Sequence, residues 1–259
     1  MDEPGGSPED RPSALPRPIS RTALAGLVVA VAAALAAVCS GFGSRSGWWH
    51  FRVGFAILKW AGYGGLGALL LSLIGVVRTR PHGPRRGLAW AVAGLLISLG
   101  VAGAPLYWLL TAQRVPPIHD ISTDLDNPPP FVAILPLRRD APNSAVYGGP
   151  EVAAQQREAY PSIEPVTIAA APDQVFARAR AAAQHLRWEI VEADQAEGRI
   201  EATDTTFWFG FKDDVVIRIT PVEGGSRVDL RSVSREGRSD VGTNARRIQA
   251  FLHELVRQG

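Results

Sequence analysis

Residues 57–77, ILKWAGYGGLGALLLSLIGVV, decide the fold. One lysine near the start is the only charge in a run about as long as the ~20 residues a helix needs to cross hydrocarbon. Two flanking runs have the same character, at 22–39 on the amino-terminal side and 88–110 on the carboxy-terminal side. Together they predict an α-helical membrane bundle of three spans over residues 22–111. The run at 23–39 is longer than a signal-peptide core, and the Pro-rich stretch before it lacks a compact basic start, so a retained helix is expected. Within 57–77, Gly64, Ala68 and Ser72 lie four apart. Small residues at that spacing make a face for close helix packing. The expected partner is the chain's own bundle, with homodimerisation as the alternative. Trp48, Trp49, Trp60, Trp90, Tyr107 and Trp108 fall near span ends, where amphipathic rings favour the membrane–water boundary. Cys39 is the single cysteine, so no intrachain disulfide can form.

Outside the spans the charge is lopsided. The whole chain carries +2, yet the surplus arginines crowd the membrane segments and the half after residue 114 is acidic. A pI near 9.0 is therefore no sign of nucleic-acid binding, and no nucleic-acid partner is expected. The leader, residues 1–21, contributes Arg11, Arg17 and Arg21, and the loop after the second span contributes Arg78, Arg80, Arg85 and Arg86. The opposite side has Arg45, Arg52 and Arg114. The positive-inside rule then places the leader and the Arg78–Arg86 loop in the cytoplasm and the carboxy-terminal half outside, periplasmic in a bacterial inner membrane. Pro, Gly, Ser and acidic residues predict disorder for the leader.

Residues 112–165 read as a Pro-rich extended arm, with Pro128, Pro129 and Pro130 excluding helix. Asp120, Asp124 and Asp126 lack the Gly and the closing Glu of a calcium loop, which points to Asx turns instead. From residue 166 to 259 the pattern is that of a two-layer α+β domain with an antiparallel sheet and two helices. Val175, Phe176, Ala179, Ala183 and Leu186 share a helical face. Ile248, Phe251, Leu252, Leu255 and Val256 make the stripe of a last helix over 244–257. Residues 215–221 and 227–234 predict a hairpin with Ile219 opposite Leu230, an apolar face of Val215, Ile217, Ile219, Val228 and Leu230, and a polar face toward solvent.

Chemistry is sparse. The stretch TDTTFWFGFKDD, 203–214, packs Phe207, Trp208, Phe209 and Phe211 ahead of Lys212, Asp213 and Asp214. As a strand it would alternate, with the three phenylalanines on one side and Trp208 on the other. It is either a core strand or the wall of an aromatic-lined cleft with charges at its mouth, the usual build of a small-molecule site. A second cluster holds Arg231, Arg235, Arg238 and Asn244 near the start of the last helix, where free N–H groups can hold an anion. The alternative is that Asp240 caps that helix and the arginines pair with Asp213, Asp214 and Glu236. The histidines are scattered, and no metal-ligand spacing, phosphate loop or nucleophile motif is present. No metal, cofactor or catalytic residue is expected.

The segments ISTDLDNPPPF (121–131), QREAYPSIEP (156–165, preceded by Gln155), TFWFGFKDDVVIRI (206–219) and RSVSREGRSDVGTNARRIQAFL (231–252) resemble a bacterial and plant family, domain of unknown function 1499. The resemblance covers about 117–257 and implies one continuous domain there. It implies no activity, substrate or catalytic residue. The expectation from the sequence is a membrane-anchored envelope protein presenting a non-catalytic, periplasmic domain that binds a lipid, another apolar or anionic ligand, or a protein partner. A hydrolase using Asp213 or Asp214, and a purely structural envelope component, are the alternatives.

Overall fold

Three apolar runs this long leave helix as the only open structure that satisfies its own backbone in hydrocarbon. The computed structural model, which describes residues 17–257, has these helices as α1 (Arg21–Arg45), α2 (Phe51–Thr79) and α3 (Leu88–Ala112). All three are long and apolar enough to cross a membrane. The expected disorder of residues 1–16 lies outside the described residues. Residues 18–20 pair with Arg86, through Ser20 N–H donating to Arg86 O at 3.0 Å and Arg86 N–H to Pro18 O at 3.1 Å.

The chain divides into two compact units, Met1–Ala37 with Ile57–Gly103 and Val38–Ala56 with Ala104–Gly259. The first is held by small residues. Ala23, Ala30, Ala68, Ser72, Ala91 and Ser98 are fully buried, whereas Val28, Leu35, Leu70 and Leu96 face outward. This inverts a water-soluble bundle and suits helices surrounded by lipid. A Cβ at Gly26 would lie 2.6 Å from Ser72 Oγ, and one at Gly75 would lie 2.9 Å from Ala23 Cα. The Gly64–Ala68–Ser72 face accordingly packs inside the bundle, against α1 and α3.

The second unit is built on a six-stranded antiparallel sheet. Its strands are β1 (Asp120–Ser122), β2 (Val166–Ile168), β3 (Glu189–Asp194), β4 (Arg199–Thr205), β5 (Lys212–Val222) and β6 (Gly225–Ser234). The order is β1-β6-β5-β4-β3, with β2 also paired to β6. The helices α4 (Pro150–Ala159), α5 (Pro172–His185) and α6 (Thr243–Arg257) complete it. Pro172 sits in the first turn of α5, where its missing N–H costs nothing.

One sheet face carries Ile200, Val215, Ile217, Ile219, Val228 and Leu230 against Val175, Phe176 and Ala179 of α5 and Ile248, Phe251 and Leu255 of α6. Trp188 stacks on Phe251 at 5.3 Å. Full burial of a Phe contributes about 2–3 kcal/mol. Val256, expected in this stripe, is 60% exposed, because it turns away from the line through Ile248, Phe251 and Leu255.

Three expectations are corrected. The hairpin register differs by two residues: Ile217 faces Leu230 and Ile219 faces Val228. The two-residue loop Glu223-Gly224 closes it, with Gly224 at φ +78°. A two-residue shift leaves every side chain on its face, so the apolar face is unaffected. The arm is not extended throughout. It supplies β1, a 3-10 turn at Leu135–Arg138 and α4. Finally, the second sheet face does not meet solvent. The arm covers it, with Phe131 and Ile134 packed on Val216 and Val233. Charged side chains are buried between: Asp120, Arg138, Glu201, Asp214 and Arg231 are all at most 6% exposed. Ions removed from water persist only when paired and hydrogen-bonded, and each of these is.

Candidate functional site

The aromatic stretch is not a strand. Antiparallel pairing ends at Thr205 and Lys212, and residues 206–211 form a tight turn between β4 and β5. Thr206 closes it: its N–H donates to Phe211 O at 2.8 Å, and its Oγ1 accepts from Phe211 N–H at 2.9 Å. Gly210 N–H donates to Thr206 O at 3.1 Å, with Gly210 at φ +72°. A left-handed residue there reverses the chain and ends the alternation that the aromatics suggested.

The turn docks on the end of α1 and the start of α2, residues 38–56 of the same compact unit. Arg45 Nη1 donates to Thr206 O at 2.7 Å and to Phe207 O at 3.0 Å. Trp208 Nε1 donates to Val38 O at 3.2 Å. Phe207 meets Phe42 edge-on at 5.4 Å, Phe209 meets Phe55 at 4.9 Å, and Phe211 meets Phe51 at 5.5 Å. Aromatic pairs at such distances contribute about 0.5–1.5 kcal/mol each beyond burial. Two glycines make room. A Cβ at Gly41 would fall 2.2 Å from Trp208 Cδ1, and one at Gly54 would fall 2.5 Å from Ser40 O.

Beside the docked turn lies a cavity of about 400 Å³. Trp49, Phe51, Phe209 and Phe211 line it together with His50, Leu137, Asp140, Lys212, Arg235 and Glu236. Arg235 is committed: it binds both oxygens of Asp214, at 2.9 and 2.8 Å, and donates to Leu137 O at 3.1 Å. Lys212 is exposed and has no ion-pair partner among the described residues.

The remaining sequence-predicted residues are dispersed. Asp214 also accepts from Arg138 at 2.6 Å and from Thr203 Oγ1 at 2.7 Å. Burial alone would raise its carboxyl, but hydrogen bonds from Arg235, Thr203 and Arg138 outweigh it and hold the group below the usual carboxylate range. Arg231 grips Asp120 with two bonds, at 2.9 and 2.7 Å, and its guanidinium lies over the rings of Phe131 and Tyr147. Burial, with the Asp120 charge, pushes the Tyr147 hydroxyl up to about 12. Asp213 lies on the opposite sheet face, paired with Arg247 at 2.6 Å. Asn244, fully buried, donates to His119 O and Ser234 Oγ, both at 3.0 Å. Asp240 caps α6, accepting from Gly242 and Asn244 N–H at 2.8 Å each. Arg238 is exposed, and its carbonyl lies 3.3 Å from His119 Nδ1. Asp213 and Asp214 thus face apart, each held by arginine.

Two buried groups escaped sequence reading. Glu201 accepts from the N–H groups of Val132, Ala133 and Ile134 at 2.8, 3.1 and 2.9 Å, capping the 3-10 turn from the sheet. Arg138 bridges the arm to Asp214. Both are ordinary surface types in sequence, and their partners lie 67–69 and 76 residues away.

The architecture defines a class: a helical bundle fit for a membrane, joined to an α+β domain with a neutralised ionic layer under its arm. The chain belongs to the family described as Protein of unknown function (DUF1499), whose model matches residues 120–255, from β1 into the last turns of α6. No curated protein matches the chain.

Proposed function

We propose that this protein is a non-catalytic, membrane-anchored binding domain that holds an amphiphilic ligand of the bacterial envelope. The observation that carries the reading is the cavity beside the aromatic turn. Phe51, Phe209 and Phe211 offer apolar contact, and Lys212 offers a cation with no ion-pair partner among the described residues. Apolar walls with a few polar groups are how ligand pockets are usually built. The arginines of the leader and of the Arg78–Arg86 loop support a cytoplasmic amino terminus and a periplasmic domain.

Native mass spectrometry of the detergent-extracted protein tests the binding. A copurifying lipid, lost in Phe211→Ala and in Lys212→Ala, is the expected result. Its repeated absence from the intact protein would overturn the reading in favour of a scaffold. A carboxy-terminal alkaline phosphatase fusion should be active, and an inactive, stably expressed fusion would reverse the orientation.

A further inference from the structure

We infer that the β4–β5 turn is itself a membrane-embedded element, with Phe207 seated in the headgroup–acyl boundary beside α1. The first observation is exposure. Phe207 is 79% exposed although it sits in a turn whose Phe209 is only 8% exposed. Among the described residues its one ring contact is Phe42 of α1.

The second observation is continuity with a lipid-facing stripe. Along α1, Leu24, Val28, Val31, Leu35, Val38 and Phe42 recur at alternating steps of four and three, and every one is exposed. That spacing keeps them on one side of the helix. The stripe ends on Val38 and Phe42, and the Phe42 ring is met edge-on by Phe207 at 5.4 Å. The third is depth. The turn binds α1 at Val38 through Trp208 and at Arg45 through two carbonyls, so it lies along the last two turns of the helix, about 10 Å of its axis. Arg45 marks where the chain turns polar. An aromatic ring beside the last apolar turn, with a cation just beyond it, is the composition of a membrane–water boundary. The occupant is therefore the bilayer, not a protein or a soluble ligand.

The inference rests on α1 being a span but not on the ligand cavity, so the two readings fail separately. The test uses the full chain in lipid nanodiscs, with Cys39→Ser as background and a nitroxide at one of three new cysteines. Leu35→Cys reports the span, Phe207→Cys the turn, and Ala196→Cys the opposite end of the sheet. Power-saturation EPR compares collisions with apolar oxygen and with a water-soluble nickel chelate. The expected result is a several-fold excess of the oxygen-to-nickel ratio at 207 over 196, approaching that at 35. A ratio at 207 equal to that at 196, while 35 remains high, overturns the inference. A low ratio at 35 overturns it together with the span. A label at 207 shielded from both reagents also overturns it, because protein then covers the site.

Discussion

Replacing Gly41 by Ala tests whether the aromatic turn is truly docked on α1. The added Cβ would lie 2.2 Å from Trp208 Cδ1, 2.3 Å from Nε1 and 2.6 Å from Cγ, against ordinary contacts of 3.4–4 Å. The indole must move by more than an ångström, and the helix backbone cannot yield without breaking its own ladder. The Nε1–Val38 O bond, already 3.2 Å, is then lost. A lost hydrogen bond costs about 1 kcal/mol, and overpacking about 1–3 kcal/mol more. Docking should weaken by about 2–4 kcal/mol. Since about 1.4 kcal/mol is tenfold, amide protection at Gly210 and Phe211 should fall by roughly 30- to 1000-fold. Hydrogen–deuterium exchange of the protein in nanodiscs reads this directly. Gly67→Ala is the control, because a Cβ there meets nothing within 4 Å. Combining Gly41→Ala with Trp208→Ala should recover most of the cost attributable to the clash. Wild-type protection in Gly41→Ala would refute the docking.

Four further outcomes follow from the buried layer and the bundle. Asp214→Asn leaves Arg138 and Arg235 without their anion and should cost about 3–5 kcal/mol, read as a lowered unfolding midpoint in detergent. In the intact protein the folded carboxyl lies below its ordinary 3.8, so its stabilisation is present above about pH 4 and fades as pH falls through the folded value; a melt unchanged down to acid pH would contradict this. Glu201→Ala strands three backbone N–H groups, at about 1–3 kcal/mol for each one left dry, and exchange should accelerate at Val132–Ile134 before it does at β5. Gly94→Leu should abolish a stable bundle, since even a Cβ there lies 3.0 Å from Leu27 backbone, whereas Gly100→Leu, with open space, should purify normally.

What was readable in the sequence was local. The spans appear because a run of apolar residues needs no partner to be recognised, and the expected 57–77 lies wholly inside α2. The helix α6 is visible because Ile248, Phe251 and Leu255 repeat at its period. The apolar sheet face is visible because alternation survives a two-residue error in register. The arm deceived for an equally physical reason. Its prolines do exclude long helix, yet Asp120–Ser122 needs only the free edge of β6 to become a strand. The aromatic turn also misled, since Phe and Trp favour strands and only Gly210 marks the reversal.

By itself, then, the order of residues determined which helices are long and apolar enough to cross a membrane, which stretches repeat as helix or strand, and which side of the sheet is apolar, because each depends on near neighbours and solvent. Tertiary structure alone decided that the charged face is roofed and neutralised, and that the aromatic turn packs on the end of α1 and the start of α2, with the Arg45 and Trp208 hydrogen bonds each joining residues more than 160 positions apart. Ion pairs and ring contacts are agreements between distant positions, and the free energy that selects them exists only once the chain has brought them together.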